Sequence, residues 1–142
     1  MLRRTLAVTA ALIASHAWES GVAARDQGYP AVPLLSTETN VVGETLRYPT
    51  SGAAHVTAAV VTLAPGQRTI VHKHGVPLFA YILEGELTVD YGAHGLRTYR
   101  QGQAFMEAMA VAHFGINTGA QPVRLLAVYM GAKGAEDVIA DK

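Results

Sequence analysis

No long segment after residue 25 keeps a helical period, and from residue 54 onward short apolar runs are cut at regular intervals by glycine and proline. His55–Leu63 is rich in Val, Thr and Ala and ends at Ala64-Pro65-Gly66. Gln67–His74 follows, then the breaker Gly75-Val76-Pro77. Leu78–Leu83 leads to Glu84-Gly85, which suits a tight hairpin before Glu86–Tyr91. After Gly92-Ala93-His94-Gly95 come Leu96–Arg100, Gln103–Ala108, Ala112–Asn117 and Pro122–Met130. Short strands at this spacing, bounded by turn residues, predict an all-β chain closed as an antiparallel sandwich or β-barrel over residues 46–130. Residues 25–45 read as an extended N-terminal arm, with edge-strand patches at Val41-Val42 and Thr45–Tyr48. Residues 131–142 read as a polar C-terminal tail with room for one helical turn.

The start of the chain has the pattern of an export signal. Arg3 and Arg4 precede a short apolar run, Leu6–Ala14, and small residues then offer cleavage after Ala17 or Ala24. That run is shorter than the roughly 20 residues of a membrane span. Residues 1–24 are therefore read as a signal peptide and the mature protein as periplasmic or secreted, with no membrane attachment after cleavage. The chain has 11 basic and 11 acidic side chains. Cleavage removes only Arg3, Arg4 and Glu19, so the mature chain stays nearly neutral. No basic cluster points to nucleic acid. There is no cysteine, so disulfides, thiolate nucleophiles and thiolate metal sites are excluded. Any metal must be held by imidazole and oxygen.

His72 and His74 are two residues apart, so on an extended strand both rings point to one face. Neutral imidazole is the commonest protein metal ligand. A catalytic metal usually takes three protein ligands and keeps a position open. His113, on another predicted strand, can supply the third if the barrel brings it alongside. His55 begins a strand with no motif partner, His94 lies in a turn and His16 lies in the signal; none of the three is a ligand candidate.

These residues resemble a family. Gly66-x5-His72-x-His74 followed by Gly85 is similar to the first motif of the cupin superfamily, and Gly102 followed by His113-x3-Asn117 is similar to the second. Tyr81-Ile-Leu-Glu-Gly85-Glu-Leu is similar to small single-domain cupins. The resemblance covers residues 46–130. It implies a jelly-roll β-barrel, a divalent metal (Fe, Ni, Mn, Zn or Cu) in the barrel, and frequent dimerisation, for which residues 25–50 offer a surface for a homodimer. Two departures stand out. The family places a Glu a few residues after the second His, where this chain has Leu78. It also places a Pro and a Gly before the last His, where this chain has Ala108 and Ala110.

Three neutral imidazoles without a carboxylate would leave a divalent ion its full charge, favouring anionic or chelating ligands. Leu78 would make the pocket apolar on that side. If Leu78 faces inward, alternation places Ala80 and Ile82 on the same face, with Phe105 on the facing strand also lining the pocket. Glu107 shares parity with Phe105 and is the candidate catalytic group, as a fourth ligand, an acceptor that orients a histidine, or a general base. Asn117 reads as a hydrogen-bonding group at the barrel end. The function expected is a metal-dependent enzyme of oxygenase, isomerase or hydrolase type acting on a small anionic or chelating molecule. The alternatives are a non-catalytic periplasmic protein that binds a small ligand or metal, and a structural barrel with an empty site.

Overall fold

The computed structural model describes residues 30–141. The predicted signal (1–24), the first residues of the arm (25–29) and Lys142 lie outside the described residues. Every described strand belongs to the unit that begins at Pro33. The strands are β1 (Ala54–Leu63), β2 (His72–Lys73), β3 (Leu78–Glu84), β4 (Glu86–Asp90), β5 (Leu96–Arg100), β6 (Ala104–Met106), β7 (Phe114–Ile116), β8 (Val123–Ala132) and β9 (Ile139–Ala140). The one described helical element is a 3₁₀ turn at Gly92–His94, between β4 and β5.

The apolar runs become strands because their side chains divide by alternation. In β3, Leu78, Ala80 and Ile82 are buried while Phe79, Tyr81 and Leu83 are half-buried, the period of two of a pleated strand. All strand pairings are antiparallel. One layer has the order β1-β8-β3-β6, and a second contains β5-β4-β7. The segment 66–74 extends the second layer. Thr69 N–H donates to Gly115 O, Asn117 N–H to Gln67 O, and His72 and His113 exchange both backbone bonds. β9 then pairs with β2 on the far side of that segment. The chain passes repeatedly between the layers, giving an antiparallel jelly-roll barrel with an extended arm before β1. Ala80, Ile82, Leu87, Val89, Tyr91, Phe105, Val123 and Leu125 fill the core between them.

Three local expectations change. Glu84-Gly85 is not a hairpin: β3 pairs with β6 and β8, β4 pairs with β5 and β7, and Gly85 is the corner where the chain leaves one layer for the other. A strand can switch sheets only through such a bend. Gly85 takes φ 78°, and a Cβ there would stand 2.5 Å from Pro122 O, so both conformation and space require glycine. In the arm, the patches Val41-Val42 and Thr45–Tyr48 form no strand; a turn closed by the single bridge Thr39–Thr45 replaces them. Asn40 shapes that turn, its Oδ1 accepting from Val42 and Glu44 N–H. The tail has no helical turn: β8 runs on to Ala132, and residues 139–140 become β9.

Gly102→Ala, where φ is 85° and nothing stands within 4 Å, should cost about 1–2 kcal/mol through conformation alone. Gly85→Ala adds a backbone collision and should cost about 2–4 kcal/mol. Denaturant unfolding of both variants checks this; equal losses would mean that the corner is not set by space.

Candidate metal centre

The second layer, through segments 66–74 and 113–117, places His72, His74 and His113 together. His72 and His74 share one face of the segment 66–74, and the backbone bridge between His72 and His113 sets the third ring beside them. Ring centroids are 4.9 Å apart for His72–His74, 4.7 Å for His72–His113 and 5.1 Å for His74–His113. Each ring can offer one nitrogen, and these nitrogens lie within 4.8 Å of one another. All three residues are buried.

The second nitrogen of each ring is already committed. Nδ1 of His72 lies 2.8 Å from Ile70 O, that of His74 3.0 Å from Asp137 O, and that of His113 2.9 Å from Val111 O. A carbonyl oxygen only accepts, so each Nδ1 carries the proton and donates it. A neutral ring in that tautomer has its lone pair on Nε2. Burial keeps the rings neutral: it lowers the pKa of His72 and His113, and pushes that of His74 down to about 4. His113 Nε2 is, among the described residues, the buried side-chain nitrogen left without a hydrogen-bond partner. Such orphaned groups are rare in folded proteins and mark a missing partner. Neutral, oriented imidazoles with free Nε2 lone pairs are the donor set a divalent metal requires, so these residues fit the ion.

Glu107 follows β6 and is buried at 6% exposure. Its Oε1 accepts from Ala108 N–H at 2.8 Å and lies 3.8 Å from His113 Nε2. Burial raises its pKa to about 7, against the opposing pull of the Tyr91 hydroxyl and Ala108 N–H. Glu107 can therefore both hold and release a proton near neutrality. Tyr91 is wholly buried, and its hydroxyl lies 3.2 Å from that of Tyr99, which stacks on Phe105. Burial pushes the Tyr91 phenol up, and that of Tyr99 up to about 12.

The cavity at the histidines has a volume of about 70 Å³, well below the roughly 300 Å³ at which pockets for drug-sized ligands begin. Leu78 lines it, with Val61, Leu125 and Tyr129 beside it and Thr69 across from them; no Lys or Arg does. Of the other residues read as lining, Ala80, Ile82 and Phe105 do not reach the cavity and pack in the hydrophobic core. Alternation gave their face correctly, but in this layer the cavity lies over β1 and β8 and meets β3 at Leu78. Asn117 is fully buried, donating to Leu63 O and Gln121 O and accepting from Gly119 N–H, so it closes a turn. His55 and His94 are exposed.

A family model described as Cupin domain matches residues 59–129, half of the chain. The chain belongs to the cupin family. Among solved structures, this cupin is similar to the formate complex of Lactobacillus farciminis oxalate decarboxylase, with 23% identity and a TM-score of 0.50 over 60% of this chain and 26% of that one. It is also similar to a mutant of Bacillus subtilis oxalate decarboxylase OxdC, with 23% identity and a TM-score of 0.49 over 60% of this chain and 23% of the other. The cupin thus spans about a quarter of the length of these structures, and at this identity the likeness concerns the fold. No curated protein matches.

Sequence reasoning missed two groups that hold the site. Glu44, in the arm, accepts from Met109 N–H at 2.8 Å and Ala110 N–H at 3.0 Å, bracing the loop before His113. Burial alone would raise its pKa, but these bonds and one from Asn40 hold it below its ordinary value. The other is the carbonyl of Asp137, the partner of His74.

Buried neutral histidines make the metal-free protein more stable as pH rises from about 4 to 6.5, because the unfolded chain binds the extra protons. Glu107 acts in the opposite sense. Its raised pKa gives a contribution that is full below its ordinary 4.5 and lost as pH rises through about 7. Glu107→Gln should therefore steepen the gain in stability between pH 4.5 and 6.5, by on the order of 2–3 kcal/mol. Denaturant unfolding at a series of pH values with a chelator present measures it; an unchanged slope would mean that Glu107 keeps an ordinary pKa.

Proposed function

We propose that this cupin holds a divalent metal (Fe, Ni, Mn, Zn or Cu) with His72, His74 and His113, and is an enzyme acting on a small anionic or chelating molecule. The observation that carries the reading is the orphaned His113 Nε2 beside two rings in the same tautomer. A metal held there would act as a Lewis acid toward an oxygen of the substrate. Glu107 is the group that moves a proton, since its carboxyl reaches the cavity and its pKa is about 7. The aliphatic wall of Val61, Leu78 and Leu125 excludes water and receives the apolar part of the ligand. Oxalate, named in the similar structures, carries charge at both ends. With no Lys or Arg in the lining, a single-headed acid or a chelating pair of oxygens suits this cavity better. Proton transfer beside a Lewis acid serves oxygenase, isomerase and hydrolase chemistry alike, so the identity of the metal narrows the reaction.

The wild type should bind one equivalent of metal per chain by elemental analysis, and His72→Ala and His113→Ala should lose it. Retained binding would put the ion elsewhere. Glu107→Gln should keep the metal while turnover of a converted acid or chelator falls by roughly 10²–10⁴-fold. Saturable binding of such probes without any turnover would make the protein a binder instead.

We also propose export through residues 1–24 and assembly as a homodimer. The support for the first is the sequence pattern, and the mass of the protein recovered from the periplasm or medium tests it. For the second, Phe79, Leu126, Val128 and Met130 alternate with the core-facing positions of the four-stranded layer, so its outer face is apolar. On its edge strand β1, Val56 and Val60 are 60% and 51% exposed. A long uncharged edge of this kind pairs with itself about a two-fold axis. Sedimentation should give a dimer, and Val60→Glu a monomer.

A further inference from the structure

The three site imidazoles are not held alike. His72 and His113 donate to carbonyls two residues upstream, at Ile70 and Val111, so their orientation is built into their own segments. His74 donates to Asp137 O, 63 residues away. The tail that brings this carbonyl is docked at several points. β9 pairs with β2, which carries His72, and Asp141 N–H donates to Val71 O at 3.0 Å. Lys73 Nζ lies 3.5 Å from Asp141 Oδ1. The residue after His74 is Gly75, where a Cβ would collide with Glu136 O. The tail backbone thus lies directly against the histidine segment.

We propose that residues 136–141 are a strap belonging to the metal centre: their docking fixes the tautomer and angle of His74, and metal binding in turn clamps the strap. The inference rests on the metal reading above. Without the Asp137 carbonyl, His74 keeps its ring but loses the bond that sets Nδ1–H and points Nε2 inward. Partners of this kind change metal affinity by about 10–100-fold. Coupling is reciprocal, so the factor by which docking tightens the metal is the factor by which the metal tightens docking. Asp137 positions the ring through its backbone carbonyl, while its carboxylate acts on His74 only through its charge.

The test uses the full chain, with Zn²⁺ as probe in competition with a chromophoric chelator. Gly75→Ala, which displaces the strap, and Asp141→Pro, which deletes the bond to Val71 and the Lys73 ion pair without altering residue 137, should each weaken zinc at least tenfold while unfolding stays cooperative. Asp137→Ala, which keeps the carbonyl, should weaken zinc far less than either strap variant. In the unaltered protein, zinc should slow amide hydrogen exchange over residues 136–141 at least tenfold, a readout that survives if a variant fails to fold. Zinc bound by the wild type, with both strap variants equally tight and tail exchange unmoved by the metal, would overturn the strap and leave the metal centre standing. A wild type that takes up no zinc or other divalent ion would overturn both.

Discussion

Each histidine of the cluster gives one ring N–H to a main-chain carbonyl, and the rest of the site follows from those three bonds. The carbonyls can only accept, so the tautomer is decided by the backbone. Burial then keeps the rings neutral, because the hydration a charged imidazole would lose there outweighs the pull of the nearby carboxylates. The result is a set of Nε2 lone pairs facing a cavity with almost nothing to satisfy them. Leaving a buried polar atom unpaired costs about 1–3 kcal/mol. A fold that carries this cost at His113, while placing two more rings in the same orientation, is organised around a ligand that accepts lone pairs.

Those carbonyls are in place because the strand ladders put them there. The exchange of bonds between His72 and His113 locks two of the three segments in register, and that register also places Thr69 against Gly115. The weak point is the loop 107–112, which carries Ala108 and Ala110 where the family has Pro and Gly. Alanine restricts the backbone less than proline does. Glu44 supplies the missing restraint from outside, taking the N–H groups of Met109 and Ala110 on one carboxylate, while His74 N–H holds Met109 O. The arm and the tail therefore brace the centre from both sides of the chain.

The parts legible in the sequence were those carried by side-chain alternation. The period of two put His72 and His74 on one face, gave the inward set Leu78, Ala80 and Ile82, and turned Glu107 to the interior along with Phe105. Alternation says which face a residue takes, not which strands a cavity lies over, so Ala80, Ile82 and Phe105 were placed in the lining although they fill the core. Gly85 marked a sharp bend without revealing whether the next strand returns beside the last or leaves for another sheet, since both need the same residue. The tail was the least legible. Its contribution to His74 is a backbone carbonyl, which every residue possesses, and the side chains of residues 133–141 carry no sign of it. The only trace is Gly75, whose missing Cβ makes room for Glu136 O.

The two layers do different work, and this bears on how such a site can change. The ligating nitrogens all come from the layer that contains segments 66–74 and 113–117. The wall facing them, with Val61, Leu78, Leu125 and Tyr129, comes from β1, β3 and β8 of the other. No member of that wall donates to the Nδ1 acceptors or takes part in the His72–His113 bridge. Replacing Leu78 by a residue of similar volume would therefore alter what the cavity accepts without moving the imidazoles, whereas a shift of one residue between 66–74 and 113–117 would turn the rings to the wrong face. Glu107 stands where the chain crosses from one layer to the other, with its amide bonded to Leu78 O and its carboxyl beside His113. Its backbone is thus tied to the lining wall and its carboxyl lies at the ligating layer, which is where the proton carrier of the proposed function would stand.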